Sequence, residues 1–272
     1  MRNRRSLTPM LTTVAVLAFF YLPIVVLIVE SFNAARYGGS WKGFTFHWYS
    51  QLWRNREIGN ALVNTLVVGL VSTLVSTIIG TIGAFAIHRY GSSRLQKFHT
   101  SMVWLPLMIP EILMGMSLLI FFSSLSPLGV TLGRTTMIIA HVTFCISYVI
   151  MVVRARLQDF DNALLEAAQD LGATPWQTTW KVLVPVILPG IAAGALLAFT
   201  LSLDDFVISF FVNGKGMTTL PIQVQGMLKR SPMGIINALS TLMILVTFIL
   251  LIATEVLTGD LFAKGNSKSR KG

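Results

Sequence analysis

Three carboxylates stand inside apolar runs of this 272-residue chain: Glu111, Asp204 and Asp205. The chain has only 11 acidic residues, so three within such runs carry information. A lone charge at the middle of a bilayer costs at least about 2.5–3.5 kcal/mol on insertion scales, so each of these groups must face water, a cavity or a partner. Three chemistries are open to them: replacing water around a passing cation, pairing with a Lys or Arg of a neighbouring subunit, or keeping a helix break hydrated. On a helix, Asp205 lines up with Ser202 and Ser209, while Asp204 lines up with Thr200. Those two polar stripes lie about 100° apart, which suits a wet passage and a subunit seam. Glu111 follows Pro106 and Pro110, so its helix is predicted to kink, a feature confined to backbone that is buried in protein or faces water.

Other reactive residues carry less. His141 and Cys145 share a helix face, but two ligands with no acid nearby make a poor zinc site. As a base and nucleophile the same pair lacks an orienting third group. With a single Cys there is no intramolecular disulfide framework. Gly190-x-x-x-Gly194 permits close helix approach. No G-x-x-x-x-G-K-[ST] occurs, so the chain lacks the usual phosphate loop and energy must be supplied by another polypeptide.

The elements that position these groups are membrane helices. The chain is 54% apolar and 12% charged, with a mean hydropathy of +0.71. A soluble domain has roughly 45–50% and about 25%. That deficit of charge excludes a disordered tail, a collagen-like fibre and an ordinary cytosolic enzyme. Six apolar runs emerge, Met10–Val29, Ala61–Ile87, Met102–Phe122, Met137–Val153, Ile187–Val212 and Ile236–Leu257. Each must be helical, because hydrocarbon offers the backbone no other hydrogen-bond partner. The first is too long for a cleavable signal segment, and no A-x-A-like site follows it. With no internal repeat, the sequence reads as one all-α membrane domain.

The net charge of +10 sits in loops and tails, the pattern of membrane orientation rather than of nucleic-acid binding. If the N-terminus is cytoplasmic, the inside segments hold Arg2, Arg4, Arg5, Arg89, Arg94, Lys97, Arg154, Arg156, Lys181, Lys264, Lys268, Arg270 and Lys271. The outside loops hold Arg36, Lys42, Arg54, Arg56, Arg134, Lys215, Lys229 and Arg230. The excess favours both termini inside. The outer loop from Ser31 to Asn60 is aromatic, with Phe32, Tyr37, Trp41, Phe44, Phe46, Trp48, Tyr49 and Trp53. It suits an interfacial belt, or a surface that contacts an organic cation through ring faces.

Between the fourth and fifth runs lies the polar stretch FDNALLEAAQDLGATPWQTTWKVLVP. Asp161 is predicted to cap a helix, with Phe160 and Leu165 as its hydrophobic staple. Leu164, Ala168 and Leu171 form an apolar stripe along it, and Gly172 suits the left-handed position that ends it. A second short helix then starts with Thr174 as N-cap, Pro175 at its first position and Gln177 completing a capping box.

Glu166-Ala167-Ala168, Gly172, Val182 and Pro185 together resemble the EAA loop of ABC-importer permeases. Tyr21-Leu22-Pro23, Ser31-Phe32-Asn33, Phe44 to Tyr49, Ala140 to Cys145, Phe199 to Phe206 and Asn237 to Leu242 are similar to spermidine/putrescine permeases. The likeness covers the chain from about Tyr21 to Leu257. It departs at Lys215, which stands between Gly214 and Gly216 where a proline is common, and at Met233-Gly234, where an acid is typical after Pro232. Where relatives usually carry Asp, this chain has Glu111.

The resemblance implies a MetI-like ABC permease fold with six membrane helices and a cytoplasmic coupling helix around Glu166, Ala167, Ala168 and Gly172 in a loop of about 154–186. It also implies an inner-membrane subunit with a polyamine substrate and a pathway lined by Asp204, Asp205, Glu111, Ser202 and Trp48. Expected partners are a second permease, two cytoplasmic ATPase subunits that hydrolyse ATP, an outer substrate-binding protein and lipid, with no nucleic acid and no cofactor or metal in this chain. Rival expectations are an ABC permease for ferric iron, thiamine or sulfate, an ion-coupled carrier using the same acids, and a non-transporting scaffold. Sulfate fits least, because the mid-membrane stretches contain no basic residue.

Overall fold

The computed structural model describes residues 7–89, 94–158, 160–249 and 252. Arg2, Arg4, Arg5, Lys264, Lys268, Arg270 and Lys271 lie outside the described residues, as do the side chains of Arg94 and Lys97. The all-α expectation holds: the described residues form helices, with one isolated bridge between Asn33 and Phe44. In chain order the helices are α1 (Leu7–Glu30), α2 (His47–Arg54), α3 (Arg56–Arg89), α4 (Arg94–Met108), α5 (Glu111–Ser124), α6 (Arg134–Gln158), α7 (Ala163–Asp170), α8 (Pro175–Thr178), α9 (Val184–Asp204), α10 (Val207–Val212), α11 (Leu220–Met227) and α12 (Met233–Ile249). The described residues fall into two compact units, one from 7–59 with 224–249 and the other from 60–223 with 252.

The first unit holds α1, α2 and α12. Phe19, Phe20 and Leu22 on α1 are exposed, an arrangement stable only where the surrounding solvent is itself apolar. After α1 the chain is knotted around Asn33. Its Oδ1 accepts from the amides of Ala35 and Lys42, both at 3.0 Å, and its Nδ2 donates to Glu30 Oε2 at 2.9 Å and to the Ser40 carbonyl at 3.0 Å. The Trp48 indole donates to the Asn33 carbonyl at 2.7 Å. Gly234 lies against that indole so closely that a Cβ there would collide with the ring. The loop aromatics sort into two groups. Phe32 stacks on Phe44 at 5.2 Å, with Phe46 edge-on to both and Tyr49 alongside, whereas Trp53 is 92% exposed.

The second unit is built on α6, whose Met137, Ala140, Cys145, Val149 and Val153 are completely buried. Helix α9 packs along it through the predicted small-residue stripe: a Cβ on Gly190 would sit 2.7 Å from the Arg156 Cβ, and one on Gly194 3.5 Å from Val149. Four helices are long and apolar enough to cross a membrane: Pro9–Glu30, Arg56–Arg89, Arg134–Gln158 and a continuous Pro175–Asp204. The sixth run is represented by α12, which ends at Ile249; the rest of Ile236–Leu257 lies outside the described residues except for residue 252.

Three sequence expectations change. The run Met102–Phe122 is not one helix: α4 and α5 meet at a bend of 106° around Ile109 and Pro110. Pro110 is extended (φ −54°, ψ 132°), and the residue before a proline is disfavoured in the α region, so the predicted kink becomes a break. The run Ile187–Val212 also breaks, because Asp205 is extended (φ −61°, ψ 116°) between α9 and α10. Conversely, the second short helix of the polar loop does not stand alone. From Pro175 it runs through a π-turn at Thr179–Leu183 directly into α9. Val184 donates to the Thr179 carbonyl, and this wider turn carries the helix up to Pro185, which has no N–H to donate.

Candidate functional site

The polar loop is organised by side-chain caps. The N-cap of α7 is Asn162, one residue later than the predicted Asp161; Asp161 lies just outside the helix, where its Oδ1 accepts from the Ala163 amide at 2.9 Å. Phe160 is buried in the core and Leu165 packs against that core. Gly172 ends the helix at φ +83°, a conformation that strains any residue with a Cβ. Thr174 and Gln177 form the predicted reciprocal box, Gln177 N to Thr174 Oγ1 at 3.3 Å and Thr174 N to Gln177 Oε1 at 3.0 Å. Leu164 and Leu171 on the apolar stripe face out, Leu171 at 89% exposed, beside the exposed Trp176 and Trp180. Glu166 borders a cavity of about 510 Å³ together with Phe85, Leu157 and Leu165; Ala167 is exposed and Ala168 half-buried.

The two helix breaks of the second unit gather the carboxylates. Asp204 is the last residue of α9; it is exposed, as is Thr200 one turn earlier, and it lies within electrostatic reach of Asp205 and Glu111. Glu111 opens α5 and lines a cavity of about 310 Å³ at the α4–α5 bend, with Phe144, Tyr148, Met114 and Ile208. That lining carries one carboxylate and two aromatic rings, and no Lys or Arg.

Asp205 does something different. Off the helix, its Oδ1 accepts from the Ile208 amide at 3.2 Å and its Oδ2 from the Ser209 amide at 2.7 Å, so it caps α10. Its side chain is only 6% exposed. The stripe of Ser202, Asp205 and Ser209 predicted on one helix is therefore interrupted, yet the three residues still meet, around the His141 ring. Nδ1 lies 2.6 Å from Ser202 Oγ, Nε2 lies 2.9 Å from Ser209 Oγ, and Asp205 Oδ2 is 3.4 Å from Nε2. Ser202 also touches Ser72 Oγ of α3 at 3.2 Å. Trp48 belongs to the first unit, where its ring is buried and its N–H is engaged by Asn33.

His141, Ser72 and Tyr148 were not singled out by sequence reasoning as parts of this site. The one available signal was a titratable ring within an apolar run. Its partners are separated from it by 61 and 68 residues, and no local spacing connects them. Of the sequence departures, Lys215 is exposed, whereas Gly234 is the residue that admits the Trp48 ring.

Comparison with known proteins bears on both regions. Residues 76–262 match the family described as binding-protein-dependent transport system inner membrane component. The chain is 38% identical over 253 residues to the spermidine/putrescine transport system permease protein PotC of Escherichia coli (strain K12), covering 93% of this chain and 94% of that protein. It is 39% identical over 229 residues to the putrescine transport system permease protein PotI of the same strain, covering 83% and 82%. A solved bacterial ABC transporter involved in import of the acidic polysaccharide alginate aligns with a TM-score of 0.74 at 20% identity, over 93% of this chain and 95% of the other. With its breaks and its capped loop, the chain belongs to the inner-membrane components of binding-protein-dependent transport systems, as a PotC/PotI-like permease with the MetI-like fold.

Proposed function

We propose that this chain is one half of a polyamine-translocating pore in a bacterial inner membrane, with both termini cytoplasmic, moved by ATPase subunits that are separate polypeptides. The observation that carries the substrate class is a cavity of about 310 Å³ lined by Glu111, Phe144 and Tyr148 at one helix break, with the exposed Asp204 at the other break within electrostatic reach of Glu111. Carboxylates replace the water around ammonium groups, and ring faces attract organic cations. A flexible polycation with apolar spacers needs both. The names of the two relatives above, each a polyamine permease, point the same way.

Under this proposal a second permease completes the passage, because six helices enclose only half of one. An outer binding protein delivers the substrate. The exposed stripe of α7, with Leu164, Leu171 and the nearby Trp176, seats in the ATPase subunits, and Glu166, Ala167, Ala168 and Gly172 give that helix its shape and its end. The chain itself holds no cofactor, and ATP is hydrolysed by its partners.

The test is uptake of labelled spermidine and putrescine by the full complex in proteoliposomes. Uptake is expected to require ATP, to survive an uncoupler, and to fall with Asp204→Asn while the complex still assembles. Uptake that collapses with the uncoupler and persists without ATP would assign the acids to an ion-coupled carrier. ATP-dependent uptake of ferric iron or thiamine in place of polyamines would keep the mechanism and change the cargo.

A further inference from the structure

The two neighbouring aspartates are not equivalent, and the difference is set from α6. Asp204 is exposed, whereas Asp205 caps α10 and is nearly buried. Between α9 and α10 the backbone leaves the helix, so nothing in the main-chain ladder fixes the angle of one segment to the other. What spans the break is the His141 ring, with Ser202 of α9 on one nitrogen and Ser209 of α10, backed by Asp205, on the other. The carboxylate beside Nε2 favours the tautomer with the proton on that nitrogen. Nε2–H then donates towards Ser209 and Asp205, and Nδ1 accepts from the Ser202 hydroxyl. The ring is completely buried and α6 is the most buried helix of the unit, so the pin is anchored in the part of the fold least able to move.

We infer that His141 is a positioning residue: it clamps the α9–α10 break across its two ring nitrogens, and so fixes where the Asp204 carboxylate is presented to the cation. The residue touches no substrate. It rests on the proposal above that Asp204 contacts a cationic substrate, and the experiment separates failure of one from failure of the other. The two ring edges make distinct predictions. A glutamine side chain can bring its amide to the place of Nε2 and keep the link to α10. An asparagine side chain reaches only the place of Nδ1 and keeps the link to α9 alone.

The experiment uses the assembled complex in proteoliposomes, with Cys145→Ser and a spin label at Phe210→Cys, an exposed position on α10. His141→Leu, His141→Gln and His141→Asn are compared by label mobility and by the KM and Vmax of labelled spermidine uptake. His141→Leu is expected to free the label and raise KM about tenfold, with a smaller change in Vmax. His141→Gln is expected to restore both readouts towards wild type, and His141→Asn to resemble Leu. Unchanged mobility in His141→Leu, or equal rescue by Asn and Gln, overturns the clamp. Mobility that follows the predicted order with KM unmoved, while Asp204→Asn in the same assay still raises KM, overturns the fixing of Asp204 by the clamp and leaves the substrate contact standing; KM unmoved in Asp204→Asn as well overturns the reading of Asp204 as the substrate contact.

Discussion

Replacing each aspartate by alanine in turn separates their roles by magnitude. Asp205→Ala removes the acceptor for the amides of Ile208 and Ser209 and the carboxylate beside His141. Loss of an N-cap costs about 0.5–2 kcal/mol. Leaving a buried polar group without its partner adds about 1–3 kcal/mol. Because the same carboxylate serves both, about 2–4 kcal/mol is the expected total. At roughly 2–4 °C per kcal/mol for a chain of this size, the apparent melting temperature falls by about 4–16 °C. Asp204 is exposed and caps no α10 amide, so Asp204→Ala is expected to move it by less than about 2 °C while reducing uptake more than tenfold. The assay is built into the chain. Cys145 is its sole cysteine and is buried, so a thiol-reactive fluorophore added to the purified chain reports when this unit opens. Equal losses of melting temperature in the two variants, or a loss confined to Asp204→Ala, would refute the assignment.

Three further outcomes follow from the same structure. Glu166→Lys is expected to abolish uptake and substrate-stimulated ATP hydrolysis while the subunit remains in the membrane; wild-type uptake by that variant would contradict coupling through α7. Gly172→Val places a branched side chain at φ +83°, at a cost of roughly 1–2 kcal/mol, and should weaken co-purification of the ATPase subunit. Co-purification equal to wild type would remove Gly172 from the docking surface. Gly234→Leu drives a side chain into the Trp48 indole and is expected to cost about 1–3 kcal/mol, read as a lower melting temperature by circular dichroism. Gly38→Leu, with nothing within 4 Å of its Cβ, is the control and should leave that temperature unchanged.

How much was legible beforehand depended on how local the physics was. The membrane class, the positions of most spans, the Gly172 terminus and the Thr174–Gln177 box are settled by interactions within a few residues. Composition and spacing carry those directly. The helical loop was therefore readable almost entirely, except that the helix beginning at Pro175 continues through a π-turn into the long apolar helix α9. Extended backbone at Pro110 was readable as a kink, because proline acts on the residue beside it.

The fate of the acids was decided elsewhere. Asp204 and Asp205 are adjacent, identical in type and indistinguishable by any spacing rule. Only when α9 folds back along α6 does His141 come within 2.6 Å of Ser202 and 2.9 Å of Ser209, leaving Asp205 as a cap and Asp204 exposed. Trp48 was read as a pathway residue because an aromatic ring suits a cation. The tertiary structure buries it on Gly234 and uses its N–H on Asn33, and the contact with Gly234 joins residues that no local spacing connects. Sequence specified which side chains were available to handle charge in an apolar phase. Long-range packing specified which of them stayed exposed, since burial and hydrogen-bond partners are properties of contacts that the linear order does not contain.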